Sequence, residues 1–347
     1  MKAVCWYGPG DVRVAEVPRP SLQAEDDVIL RVTRAAVCGS DLHALHGKIP
    51  QLAEGTILGH EFVGVVEEVG PAVRRLRPGQ RTAAAMFVAC GRCPQCLAGQ
   101  HPRCSEYAMF GMGRFMGGLA GAQAEFVRVP LADMTLFPIP DAMEDEAALF
   151  TGDILATAYT ACRQSGIGPG DLVAIVGAGP VGLLAVSCAR LLGAAQVFTM
   201  DPIGERRELA QTLGAHPIDP GQGDPVDALR QQTGGPRANV VIEAVGNQSA
   251  LELAWRLAAT GATVALVGIL IDESWPQSAG RAWLRNLTVQ TVVGQPYRHR
   301  QTLFRLIASG ALQPQALISQ SVPLSQAATA YSDMDSRRTL KPVLRLD

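Results

Sequence analysis

Long apolar runs, an excess of either charge and a wealth of aromatic residues are all missing from this chain of 347 residues. Its longest apolar stretch, Leu172 to Leu192, is broken by Gly177, Gly179, Pro180, Gly182, Ser187 and Arg190. It therefore falls short of the roughly 20 consecutive apolar residues of a membrane span. The opening residues Met1 to Gly10 read as a short strand and a turn, not as the apolar run of a signal peptide. The expectation is a cytoplasmic protein with no membrane partner. Thirty Lys and Arg stand against 32 Asp and Glu, a net charge of −2, so the basic footprint of a nucleic-acid binder is missing as well. Only 18% of residues are charged while 48% are hydrophobic, which excludes a disordered chain and permits a large core. No internal repeat or low-complexity tract stands out. What the chain does have is 36 glycines and eight cysteines. Without an export signal, clustered cysteines argue for metal before disulfides.

The length suggests two domains, and the patterning changes near residue 154. Before it, short β-branched runs such as Val28–Val32 and Phe62–Val69 alternate with Gly/Pro turns, the marks of a mostly β, barrel-like domain. After it, apolar strands at Leu172–Val176, Val197–Met200, Val240–Glu243, Thr263–Val267 and Thr288–Val293 alternate with helices at Pro180–Leu192 and Arg206–Leu213. That alternation predicts βαβ units, hence an α/β domain with a doubly wound parallel sheet. The reading assigns residues 1–154 to the first domain, 155–294 to the second, and 295–347 to a segment that returns to complete the first.

Gly177-Ala178-Gly179-Pro180-Val181-Gly182 fits G-x-G-x-x-G between a strand and a helix. Asp201 follows at the end of the next strand, 201 − 177 = 24 residues on, close to the spacing of about 20 in dinucleotide-binding folds. The first glycine makes the turn, the second lets backbone approach a pyrophosphate, and the third lets helix and strand pack closely. The helix N-terminus, with Pro180 and Val181, offers free N–H groups to the phosphates. A carboxylate at Asp201 suits the two ribose hydroxyls of NAD and repels the 2′-phosphate of NADP. Arg206 and Arg207 nearby soften that preference. Val245 and Val267, at the ends of later strands, are further cofactor-contact candidates.

Cys90, Cys93, Cys96 and Cys104 place four thiols within fifteen residues. Two-residue gaps let successive thiols turn towards one tetrahedral ion, the ligand set of structural zinc. A redox dithiol needs fewer thiols, and a DNA-reading module needs more cations than Arg92, Arg103 and His101 supply. With all four positions filled by protein, this zinc is expected to tie down the loop at residues 90–104.

A second group begins at Cys38-Gly39-Ser40-Asp41-Leu42-His43 and continues at Gly59-His60-Glu61-x2-Gly64-x5-Gly70. A lone Cys or His is usually a core residue. Taken with the four-Cys lobe, the nucleotide loop and the closing Lys341-Pro342-Val343-Leu344, however, the chain resembles the zinc-containing medium-chain alcohol dehydrogenases over nearly its whole length. That resemblance implies a GroES-like catalytic domain joined to a Rossmann domain. It implies a catalytic zinc on Cys38, His60 and a third ligand within Phe150-Thr151-Gly152-Asp153-Ile154. Many members carry Cys at that place. Asp153 here resembles the branch containing secondary-alcohol and glutathione-independent formaldehyde dehydrogenases, as does Gly121-Ala122-Gln123-Ala124-Glu125-Phe126-Val127-Arg128. Glu61 is a resting ligand for the fourth position.

Asp41 is read either as a turn acceptor or as the partner that orients the His60 ring. Ser40 is expected to take the alcohol proton and His43 to pass it to water. Lys341, and Arg338 beside it, are expected on the pyrophosphate. Phe87, Phe110 and Trp283 are candidate pocket walls or, equally, core residues. Cys5, Cys162 and Cys188 are left as packing residues. The expected reaction is reversible hydride transfer between a primary or secondary alcohol and NAD, giving aldehyde or ketone plus NADH, with two Zn2+ per chain. Polyol or sugar oxidation, formaldehyde oxidation or dismutation, and a non-catalytic nucleotide-binding role remain as alternatives. The strand Thr288–Val293 is expected to pair across a two-fold axis in a homodimer or homotetramer.

Overall fold

A computed structural model describes residues 1–269 and 279–346. The chain forms two compact units, Met1–Asp153 with Gln295–Asp347, and Ile154–Gly294.

The first unit is mostly β. Its largest sheet runs Leu136–Pro138, Arg81–Ala84, Glu61–Val69, Val28–Ala36, Pro342–Arg345 and Gln320–Pro323, with Phe126–Val129 also paired to Val28–Ala36. A smaller sheet joins Asp11–Glu16, Lys2–Gly8 and Thr56–Ile57. The central strand Val28–Ala36 buries Val28, Leu30, Val32 and Ala35 against Phe62, Val66, Phe110 and Val127. The returning segment belongs to this unit because Pro342–Arg345 pairs antiparallel with the end of that strand, Val343 opposite Ala36. One residue before that pairing stands Lys341, so register alone carries its side chain beside Val37 and Cys38.

The second unit holds a six-stranded parallel sheet in the order His216–Ile218, Gln196–Met200, Leu172–Val176, Ala238–Glu243, Ala258–Leu266, Thr288–Thr291. Numbered along the chain this is 3-2-1-4-5-6, the order of dinucleotide-binding sheets. Leu172–Val176 is buried throughout, as a central parallel strand must be. Pro180 starts the following helix in its first turn, and Gly193, at φ +100°, ends it.

Several strand boundaries differ from the sequence reading, and two of the differences have a local cause. His216–Ile218 carries a proline and only three residues, too short to read, and it is tolerated because it lies at an edge. Ala258–Leu266 begins five residues early, through an Ala-Ala-Thr-Gly segment without alternation. Its pairing slips there, from Ala238 opposite Ala258 to Val240 opposite Thr263. Among the described residues no helix is long and apolar enough to cross a membrane.

Candidate metal centres and nucleotide-binding edge

The four-Cys lobe is built by its own backbone. The amides of Cys93 and Cys96 donate to the sulfurs three residues earlier, at 3.3 and 3.4 Å, and the Cys90 amide donates to Cys104 Sγ at 3.2 Å. These bonds curl the chain until four sulfurs converge, with Cys90 4.0 Å from Cys96 and Cys93 4.0 Å from Cys104. A regular tetrahedron with metal–sulfur bonds of about 2.3 Å has edges of about 3.8 Å. Backbone amides, led by that of Cys96, bring the Cys93 thiol down to about 6, whereas burial pushes Cys96 up to about 12. All eight cysteines are free thiols, and the lobe's donors fit one zinc ion.

The second centre comes from three separate segments. Cys38 caps the helix Gly39–Leu45, His60 and Glu61 open the strand Glu61–Val69, and Asp153 follows a tight turn at Phe150–Gly152. One donor atom from each of Cys38, His60, Glu61 and Asp153 lies within 4.8 Å of the others. Asp153 is placed by Gly152, where a Cβ would stand 1.9 Å from the Ala84 carbonyl oxygen, so only glycine permits the turn to dock. His60 Nε2 sits 3.1 Å from Asp153 Oδ2 and 3.1 Å from Ser40 Oγ.

Burial by itself would lower the His60 pKa, yet the Asp41 and Asp153 carboxylates overcome it and hold the ring well above its usual value. The Cys38 thiol is pushed up by burial and by Glu61. A buried donor set that draws in a positive charge and mixes thiolate, imidazole and carboxylate fits Zn2+.

Asp41 caps the helix and stands beside the His60 ring. Its Oδ2 accepts the Cys38 amide at 2.9 Å, capping the helix, while Oδ1 faces His60 Nδ1 at 3.5 Å. His43 is half-buried on the same helix, and burial lowers its pKa.

Lys341 requires a correction. It is 1% exposed, and its Nζ lies 2.7 and 2.6 Å from the two oxygens of Glu61 and 3.2 Å from the Val37 carbonyl. Its ammonium balances a buried carboxylate instead of facing a pyrophosphate. Burial raises the Glu61 pKa, and Lys341 opposes that rise. Sequence reading missed the pairing because the two residues are 280 positions apart. Removing one partner of a buried pair costs about 3–5 kcal/mol. Lys341→Met is therefore expected to lower the urea unfolding midpoint, and adding Glu61→Gln to restore most of it. A single variant as stable as the parent would dismiss the pair as a stabilising element.

Arg338 is likewise occupied, donating to Asp333 Oδ1 at 3.0 and 2.7 Å. Phe87 and Phe110 are fully buried core residues, packed on Tyr107 and Phe62 respectively. Trp283 is 79% exposed.

In the second unit, Gly177 has φ +97° at the end of its strand, and a Cβ on Gly182 would lie 1.9 Å from the Gly177 carbonyl oxygen. A Cβ on Gly179 would meet nothing within 4 Å, so the backbone there borders open space at the helix N-terminus. Such a cradle fits a dinucleotide diphosphate. Asp201 is buried, accepting the Ala178 amide at 2.8 Å on one oxygen and the Ile203 amide at 2.9 Å on the other. Arg207 donates to the Asp201 carbonyl and to Asp219. Val245, which is exposed, and Val267 follow the carboxyl ends of the two next strands.

The amino-terminal part, residues 24–141, matches the alcohol dehydrogenase GroES-like domain, and residues 180–309 match the zinc-binding dehydrogenase family. The chain is similar to a protein of Mycobacterium tuberculosis named as a probable zinc-binding alcohol dehydrogenase, with 36% identity over 97% of this chain and 86% of that one. The chain belongs to the zinc-containing medium-chain alcohol dehydrogenase family. Among solved structures, the alcohol dehydrogenase TADH from Thermus sp. ATN1 superposes with a TM-score of 0.95 at 40% identity, covering 99% of both chains. A Sinorhizobium meliloti protein solved bound to NADP superposes at 0.88 with 33% identity, covering 99% of this chain and 98% of the other. Membership in this family makes the chain an oxidoreductase acting on CH–OH groups of small molecules.

Proposed function

We propose that this member is an NAD-dependent zinc alcohol dehydrogenase, converting a primary or secondary alcohol and NAD to the aldehyde or ketone, NADH and a proton. The observation that carries the reading is the second cluster. Cys38, His60 and Asp153 converge while Glu61 is engaged by Lys341, the three-ligand pattern of a catalytic rather than structural zinc. When bound there, zinc supplies Lewis-acid polarisation of a substrate oxygen.

The chain's own residues do the rest. Ser40 stands beside His60, where its hydroxyl relays the alcohol proton, taking it up as it releases its own. His43, three residues on and so on the same helical face, is half-buried, with its pKa lowered by burial, and passes that proton towards water. Gly177, Gly179, Pro180, Val181 and Gly182 seat the diphosphate of the cofactor, and Asp201 accepts its ribose hydroxyls with the lone pairs its amide partners leave free. Arg206, Val245 and Val267 border the same edge. A homodimer or homotetramer is supported by Thr288–Thr291, which ends its sheet.

Emission spectrometry is expected to find two zinc ions per chain. A panel of primary, secondary, aromatic and polyol alcohols is expected to generate NADH. One zinc per chain with no NADH from any alcohol would overturn the reading in favour of a nucleotide-binding role. Exchanging Asp201 for glycine removes the charge that opposes a 2′-phosphate. The ratio of kcat/KM with NADP to that with NAD is expected to rise at least tenfold, the equivalent of about 1.4 kcal/mol. An unchanged ratio would take Asp201 off the ribose.

A further inference from the structure

Beside the second candidate metal centre, Asp41 belongs to a connected set of buried polar side chains with Gln123 and Tyr331. Gln123 and Asp41 are fully buried and Tyr331 is 1% exposed. Gln123 Nε2 donates to the Ala36 carbonyl at 3.0 Å and to Asp41 Oδ2 at 3.2 Å, and the Tyr331 hydroxyl donates to Gln123 Oε1 at 2.7 Å. A glutamine amide offers two donors and an acceptor, and each has a partner here. The Cys38 amide and Gln123 both hold Oδ2 of Asp41, which leaves Oδ1 3.5 Å from His60 Nδ1.

The Gln123 backbone is tied to the segment that carries His60. Its amide donates to the Leu58 carbonyl at 2.9 Å, and the Ala122 amide donates to the Gly59 carbonyl at 3.0 Å. A Cβ on Gly59 would stand 2.5 Å from Gln123 Cγ. Gln123 thus touches the Cys38–Asp41 cap through its side chain and the His60 segment through its backbone.

We propose that Gln123 is a positioning residue of the metal centre: it locks Asp41, and through Asp41 the His60 ring, in the orientation that presents Nε2 to the ion, with Tyr331 fixing the amide from the returning helix Ala327–Asp335. The inference rests on the zinc reading above. Glutamine is specified over its isostere because glutamate has no N–H to give Ala36 or Asp41 and would set a second carboxylate against the first. Packing alone would accept either residue.

The test is zinc release from the holoenzyme to a chromogenic chelator, with kinetics alongside. Two release phases from the parent, one per site, establish the zinc reading. A single phase defeats that reading instead of this one. Given two phases, Gln123→Leu and Gln123→Glu are both expected to speed release from the second centre by about 10–100-fold, leaving the four-Cys phase unchanged. They are expected to lower kcat with little change in the KM for NAD. Tyr331→Phe, which keeps the packing, is expected to speed the same phase several-fold. Gln123→Glu releasing zinc at the parent's rate would reduce Gln123 to a packing residue and overturn the proposal. If the Gln123 variants fail to fold, an unchanged release rate in Tyr331→Phe overturns it equally.

Discussion

Replacing Asp153 by alanine is expected to lower kcat/KM by more than about a thousandfold while the protein stays folded. Asp153 is almost buried, 3.1 Å from His60 Nε2, and contributes one of the donors that close the second cluster. Without it Cys38 and His60 are left as the donors, with Glu61 engaged by Lys341, too few to retain an ion. Losing several kcal/mol of electrostatic stabilisation translates into three or more powers of ten in rate. Metal analysis of the variant is expected to show one zinc per chain, the four-Cys ion, and circular dichroism to match the parent. Asp153→Cys is expected to recover zinc and part of the activity, since a thiolate is an equally good ligand for zinc. An Asp153→Ala protein that turns over normally would remove this residue from the metal centre.

The second large effect concerns stability. Cys96 is buried, and its sulfur faces Cys90. The lobe around it has a small apolar cluster of Met86, Phe87, Phe137 and Tyr297 to lean on. Zinc binding in such small modules supplies folding free energy directly. Cys96→Ser is expected to release that zinc and cost several kcal/mol, a fall in Tm of about 10 °C for a chain of this size. Below the new Tm, kcat/KM is expected to stay within about tenfold of the parent, because Cys38, His60 and Asp153 belong to other segments. Calorimetry and turnover measured on the same sample separate the two effects. An unaltered Tm after loss of the ion would show that the lobe stands without it.

The two candidate metal centres were legible to different degrees, for a physical reason. The four cysteines lie within one short loop, and their geometry is set by local amide–sulfur bonds, so spacing alone announces them. The nucleotide loop is local too: a strand, three glycines and a helix start, with a carboxylate one strand later. Cys38, His60 and Asp153 are spread over more than a hundred residues. Spacing shows nothing of their meeting, and they were read through resemblance.

What the sequence determined by itself, then, is what short-range chemistry encodes: the parallel sheet, the glycine turn and the thiol cluster. Only the tertiary structure decided what depends on distant strands pairing. The antiparallel seating of Pro342–Arg345 against Val28–Ala36 delivers Lys341 to Glu61 and not to a phosphate. The close approach at Gly59 sets Gln123 under Asp41. Phe87 and Phe110 were drawn into the core because aromatic side chains gain more from burial than a pattern of isolated residues can reveal. A buried charge finds its partner wherever the fold brings one within reach, and no local pattern records that distance.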